Sequence, residues 1–349
     1  MGNQLRLEIG APAETVVAKS NDLVRGRHDF NTLEQRIFVA MVAQLKRESE
    51  FPTIEIPLSD LCEMSGTDKS NLYREAERLC DSLASRTIGV HDRTNDKGIP
   101  RYTSYPCFRF CRHVKGSGVI EAKFSEELEP YLLELKEQFT LYLLKVFLRL
   151  RSKYATQIYE LMKMRQGISK LSMSTAEFRQ KLGLEDKYSR FSSLKARVIE
   201  QAQKELREKA DVYFTYRVIR DGRTPKKIEF YIKENEKIID ELREEVSALK
   251  GEDEAPRIGR PSDESDLGVT DTSLQPGRQS GPESVDAKVL FLAERTQEEI
   301  ESLSDGKVED LYEQARANVE RTDEGASSAY VESMTATKMQ KIWEGTGHS

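Results

Sequence analysis

Cysteine is scarce in this chain, with four in 349 residues: Cys62, Cys80, Cys107 and Cys111. So low a count excludes a disulfide scaffold and leaves reduced cysteines, two of them at or near apolar helix positions. Cys107, Cys111 and His113 invite a zinc reading, yet residues four apart in a strand lie roughly 13 Å from each other, too far to share one metal ion or one disulfide. Histidine is as sparse. His28, His91, His113 and His348 are the whole set and no two stand within ten residues, whereas a tyrosine nickase needs clustered histidines to hold the metal that activates a scissile phosphate. The thirteen tyrosines suit core and strand positions instead. Long apolar runs are missing too: the longest, Leu141 to Leu150, is broken by Lys145 and Arg149 and falls far short of a membrane span. The first twenty residues hold no apolar secretory core, and Arg6 stands where a myristoylation signal needs Ser or Thr. No Gly-x-x-x-x-Gly-Lys-Ser/Thr run is present to cradle a nucleotide phosphate. These gaps predict a cytoplasmic protein with no membrane segment, no metal site, no cofactor and no catalytic residues.

What the chain has is charge, unevenly divided. With 38% apolar and 33% charged residues it is long enough for two globular cores and a polar appendage. The formal net charge is −6, but residues 1–240 carry 42 Lys and Arg against 35 Asp and Glu, net +7, and residues 241–349 carry 12 against 25, net −13. Between Leu141 and Lys227 the balance is 21 against 9, net +12. A polyanion is the natural partner of that central region.

Within it, Lys187 to Ala210 reads as a helix. Phe191, Leu194, Val198, Ala202 and Leu206 recur at spacings of 3, 4, 4 and 4, one buried stripe. At 100° per residue the opposite face shows Ser189, Arg190, Ser193, Ala196, Arg197, Glu200 and Lys204. Seven basic residues stand against three acidic ones between Lys187 and Lys209. Short side chains and early arginines suit a DNA groove, the arginines reaching base edges and the lysines, Lys187 and Lys204 among them, meeting phosphates. Alone, the pattern also fits an ordinary amphipathic surface helix; its neighbours decide.

Residues 1–15 read as a flexible arm. A first winged helix is predicted over 16–124: a helix from Thr32, its cap, to Arg47, a strand over Thr53–Leu58, a short helix capped by Ser59 and Asp60 and ending at Gly66, and a second helix over Lys69–Ser85. Asn71, Arg74 and Arg78 lie on the outward face of that second helix. Strands over Thr87–Val90 and Arg101–His113 flank the polar tip HDRTNDKGIP (91–100), and a third strand spans Val119–Phe124. After a linking helix (125–138) the same order returns over 139–238: a helix over Tyr154–Met164, a strand over Ile168–Met173, a capping box at Ser174–Glu177, a turn at Gly183, the basic helix, and strands over Asp211–Ile219 and Ile228–Ile232. Their tip, RDGRTPKK (220–227), sets Arg220, Arg223, Lys226 and Lys227 against one acid, Asp221. The first unit's helix region, Thr67–Arg86, is by contrast neutral, four basic against four acidic residues, so the second unit is expected to dominate binding. Residues 239–284 read as a flexible linker and 285–349 as an acidic tail with possible short helices, over about Val285–Leu303 and Val308–Val319; a solvated tail and a partner-binding module both fit. The predicted class is α+β, mainly helical: two tandem winged-helix domains followed by an acidic, partly disordered C-terminal extension.

VAKSNDL (17–23) with Leu33 and Arg36, FTLYLL (139–144), SKYATQIYELM (152–162), FRQKLGL (178–184), Tyr188 with FSSLKARVIEQAQKEL (191–206), and GRTPKKIEF (222–230) resemble the replication initiator (Rep) proteins of iteron-containing, theta-replicating plasmids. The likeness covers roughly residues 15–235. It implies two winged helices that bind direct repeats at an origin, the second making the dominant base contacts. It also implies monomers that initiate, dimers that repress their own gene, and a host initiator and replicative helicase as partners. By position it puts recognition on Ser189, Arg190, Ser193, Lys195 and Arg197, and wing contacts on Arg223, Lys226 and Lys227. Lys195 sits near the buried edge of the helical wheel, the place of a phosphate contact.

The leading expectation is thus a replication initiator, a DNA-binding protein and not an enzyme, acting on double-stranded direct repeats about one helical turn (~34 Å) apart. The alternative is a dimeric repressor on inverted half-sites, whose two-fold symmetry the operator would mirror.

Overall fold

The computed structural model describes residues 4–6, 14–46, 50–65, 69–92, 101–135, 138–250, 287–293, 295–320 and 328–345. It opens with β1 (Gln4–Arg6), β2 (Val16–Ser20), the short helix α1 (Asn21–Arg25) and β3 (Arg27–His28). The side chain of Asn31 then accepts the Glu34 N–H while the Glu34 carboxylate accepts the Asn31 N–H, a reciprocal box that starts α2 (Thr32–Val42). Asn31 is therefore the cap in place of Thr32, because only it stands three residues before a glutamate. β4 (Thr53–Pro57), α3 (Leu58–Ser65), α4 (Lys69–Ala84), β5 (Thr87–Asp92), β6 (Arg101–Pro106), β7 (Phe108–His113) and β8 (Val119–Phe124) complete the first winged helix. Gly66, expected in the turn between α3 and α4, and 93–100 of the wing tip lie outside the described residues.

The strand expected over Arg101–His113 is two strands in two sheets. β6 closes the order β3-β5-β6, and β7 the order β1-β4-β8-β7. The chain changes sheets at Cys107, which is fully buried and whose N–H donates to the Arg86 carbonyl while its own carbonyl accepts from Ser125. Pro106, with no N–H to offer a ladder, directly precedes the break.

The linking helix expected over 125–138 is shorter: a 3-10 turn (Glu126–Leu128) and one turn of helix, α5 (Glu129–Leu132). Leu128, Leu132 and Leu135 have helical spacing and are buried. The chain nevertheless has to turn back, and Gln138 adopts a left-handed φ of 47° as its carbonyl accepts the Asn21 N–H. That turn delivers β9 (Phe139–Leu143) antiparallel to β2, with Val17 opposite Tyr142. α6 (Leu144–Arg149) and α7 (Lys153–Arg165) follow, and α7 packs against α1 and β9.

The second winged helix comprises β10 (Lys170–Ser174), α8 (Thr175–Lys181), α9 (Phe191–Leu194), a π-helical turn (Lys195–Ile199), α10 (Glu200–Lys209), β11 (Val212–Asp221) and β12 (Thr224–Glu234). The Ser174–Glu177 capping box forms as expected. The sheet order is β10-β12-β11, leaving β11 at an edge. One buried apolar cluster runs from Val17 through Phe147 and Ile158 to Phe230 and Leu242, so the two units share a core. Across the seam buried Lys181 donates to the Gly26 carbonyl, and within the first unit buried Lys19 pairs with Glu160, which also accepts the Tyr142 hydroxyl.

The stretch expected to be flexible from 239 begins inside a 15-residue helix, α11 (Glu236–Lys250), whose Ile238, Ile239, Leu242 and Val246 are buried; the rest of it, 251–284, lies outside the described residues. Beyond it, α12 (Ala287–Ala293), α13 (Gln297–Ser302), α14 (Asp305–Glu320) and α15 (Ser328–Gly345) enclose their own core of Phe291, Leu292, Ile300, Leu311, Met339 and Trp343. The single helix expected over Val285–Leu303 is divided because Thr296 caps α13 in a box with Glu299.

Candidate nucleic-acid interface

The basic helix of the second unit is continuous from Phe191 to Lys209 but not uniformly α. Its apolar spacings of four exceed the 3.6 residues of an α-turn, and the π-turn at Lys195–Ile199 takes up the excess. Leu194, Val198, Ile199, Ala202 and Leu206 are all buried as a result. Arg197, on the same turn, points to solvent.

Arg179 fastens the loop that feeds this helix. The Arg179 guanidinium donates to four carbonyls, those of Leu184 (3.3 Å), Lys187 (2.8 Å), Tyr188 (2.7 Å) and Ser189 (3.4 Å). Gly183 turns the chain at φ 62°, and Tyr188 takes a left-handed φ of 53°, a position that costs a non-glycine residue about 1–3 kcal/mol unless its surroundings hold it. Arg179 is that support. A recess of about 460 Å³ opens here, lined by Lys187, Tyr188, Ser189, Arg190, Ser193 and Arg197. All four base-reading candidates therefore surround one concavity.

The wing lies beside it. β11 and β12 join through Gly222 and Arg223, with Asp221 opposite Thr224 and Gly222 at a φ of 57°, as a two-residue hairpin loop requires. Arg220 lies over the Phe191 ring at 5.9 Å and donates to the Arg223 carbonyl, which ties the tip to the start of the helix. Arg220, Arg223, Lys226 and Lys227 are exposed, and so are Lys187, Arg190 and Lys204. Lys227 pairs with Glu229 at 3.3 Å, and Lys204 reaches Glu208 only at 4.0 Å.

Lys195 differs from its neighbours. It is half-buried, 3.0 Å from Glu301 on α13 and 3.6 Å from Glu200, and lies over the Tyr216 ring. Its ammonium is held charged by the Glu301 hydrogen bond, which raises its pKa. Such a partner, more than a hundred residues away in sequence, was not foreseeable from a helical wheel.

Two family models match this architecture: Initiator Replication protein, WH1, over residues 16–163, and Initiator Rep protein, WH2, over residues 174–232. The chain belongs to the initiator replication protein family. This initiator is 27% identical over 205 residues to a replication initiation protein of Escherichia coli, covering 56% of its own length and 62% of the relative's. It is likewise 27% identical over 203 residues to the PI protein of Escherichia coli, covering 53% and 64%. The initiator thus spans less than two thirds of each relative. The crystal structure of a Pi initiator protein in complex with iteron DNA matches 64% of this chain and 98% of its own, at 20% identity and a TM-score of 0.49.

In the initiator's first unit, Arg74 and Arg78 are exposed on α4, while the side chain of Asn71 lies outside the described residues. Sequence reasoning missed the clamp by Arg179, although FRQKLGL contains it, and two further fasteners. Arg36 donates to the carbonyls of Leu148 (3.1 Å) and Leu150 (2.8 Å). The Glu205 carboxylate accepts the N–H groups of Arg151 and Ser152 just before α7, tying the basic helix to the first unit. The cysteines are free thiols; burial pushes Cys80 up to about 11 and Cys111 up to about 12, which keeps both protonated.

Proposed function

We propose that this initiator binds double-stranded direct repeats at a plasmid origin, with the second winged helix as its principal DNA-binding surface. The observation that carries this reading is the recess framed by Lys187, Ser189, Arg190, Ser193 and Arg197 with the Arg220–Arg223 tip alongside. Ser189, Arg190, Ser193 and Arg197 read base edges in the major groove; Lys187, Lys204, Arg223, Lys226 and Lys227 neutralise phosphates. The first winged helix adds Arg74 and Arg78, with Asn71 on the same helix, about one helical turn away. Several copies on adjacent repeats strain the neighbouring duplex, binding energy offsetting a deformation cost of a few kcal/mol, and the opened DNA receives a host initiator and replicative helicase. The protein makes and breaks no covalent bond, works on DNA in the bacterial cytoplasm, and self-associates as part of its control.

Footprinting the protein on the DNA flanking its own gene is the test. Protection of tandem direct repeats at a helical period is expected. Protection confined to one inverted pair of half-sites would replace the initiator by a repressor, and no protection above random DNA would remove both.

A further inference from the structure

Helices α12–α15 do not stand apart from the second winged helix. Tyr231 of β12 is fully buried in their core beside Phe291. Gln297 of α13 uses its side-chain amide as a strand would use its backbone: its oxygen accepts the Tyr216 N–H and its nitrogen donates to the Tyr216 carbonyl, both at 3.0 Å. The same oxygen accepts from Gln203 of the recognition helix at 3.0 Å, and Arg217 donates to the Leu303 carbonyl at 3.1 Å. So seated, the module brings a strongly acidic unit, 13 Asp and Glu against 7 Lys and Arg over 287–345, against the basic helix.

From this geometry we infer that the C-terminal module is a built-in anionic competitor of DNA, in which Glu301 occupies Lys195 and keeps it from counting as a phosphate contact. The inference rests on the recognition helix being the DNA-binding face. Glu301 stands where a backbone phosphate would approach the middle of that helix, and its carboxylate takes the same ammonium a phosphate would take. The Lys195 hydrogen bond holds Glu301 below the usual carboxylate range, so the pair is charged on both sides at neutral pH. The side chains are 33% and 50% exposed, which makes this a weak lock. A weak lock of this kind lowers affinity for repeat and random duplex alike while leaving base readout by Arg190 and Arg197 untouched, and so sets the overall strength of binding.

The test uses the full chain on random-sequence duplex, with repeat DNA in parallel. Glu301→Gln is expected to tighten random-duplex binding roughly two- to fivefold, the span an exposed ion pair supports. It should also steepen the log–log salt slope by about 0.9, one more phosphate. Glu298→Gln, exposed on the same helix, controls for charge alone and is expected to do neither. E301Q combined with K195Q is expected to return binding and slope to the level of the unaltered protein. An E301Q protein whose binding and slope overlay the unaltered protein overturns the inference, as does a Lys195→Gln loss as large as that of Lys226→Ala. If the unaltered protein fails to prefer repeats over random DNA, the replication reading falls, while the E301Q and K195Q comparison still decides whether this contact competes with DNA.

Discussion

Arg197 and Lys226 carry the same charge but are set for different work. Arg197 lines the recess at the helix, and in the proposed reading its guanidinium offers two parallel donors to a guanine edge. Arg197→Ala is expected to cost about 1–3 kcal/mol on repeat DNA and little on random duplex. Lys226 sits in the wing, and Lys226→Ala should weaken both alike and flatten the salt dependence; titrations at several salt concentrations separate the two outcomes, and equal losses for Arg197 would demote it to a phosphate contact. Lys181 and His28 give the seam a pH response. Burial pushes the Lys181 ammonium down to about 7, and burial followed by the positive charge of Lys181 lowers the His28 imidazole well below its ordinary value. The unfolded chain therefore binds protons that the folded chain refuses, at Lys181 between about pH 7 and 10.5 and at His28 below about 6.5. Stability accordingly rises with pH through neutrality. Urea midpoints from pH 6 to 9.5 should climb, and Lys181→Met should flatten the climb above pH 7; an unaltered slope would acquit Lys181. At this scale the exposed recognition residues were legible because helical periodicity alone decides which face they share. The buried pairs were not: Lys19 and Glu160 are 141 residues apart, and nothing local in either announces the other.

Among the elements, the second winged helix was the most legible, since each of its signals is local. The Ser174–Glu177 box, the positive φ at Gly183, the alternating strands and the Gly222 hairpin all act within a few residues of themselves. The π-turn was legible in principle. Three successive spacings of four run ahead of 3.6 residues per turn, and the extra residue at Lys195–Ile199 absorbs that drift. The first unit's β6–β7 break had its cue in Pro106, and the α12–α13 break in the Thr296–Glu299 box. α15, by contrast, was not anticipated. One element-level prediction concerns the loop ahead of the recognition helix. Arg179→Ala frees four carbonyls and the strained Tyr188, and is expected to weaken repeat binding by about 1–2 kcal/mol through lost positioning. Lysine has no planar fork to span the carbonyls, so Arg179→Lys should not restore it. Affinity for repeats in the lysine variant equal to that of the unaltered protein would show that charge, not geometry, is what Arg179 supplies.

The whole molecule is three bodies on two cores. The winged helices share one apolar interior from Val17 to Leu242, bound across the seam by Lys181 and Glu205, and the helices from Ala287 onward add a second interior that borrows Tyr231. Composition alone had suggested a charged tail, because 25 acids in 109 residues dilute the apolar positions that a long helix pair would otherwise display. The seat of that third body has a further consequence. β11 is the last strand of its sheet, and Gln297 occupies its free hydrogen-bonding side at Tyr216. Strip the helices away and a ten-residue strand carrying Phe214, Tyr216 and Val218 offers its bare flank to any extended segment that drifts past. A chain shortened to residue 250 should therefore stick to itself, scattering light at concentrations where the intact protein stays clear, so that the acidic helices double as a guard against misassembly.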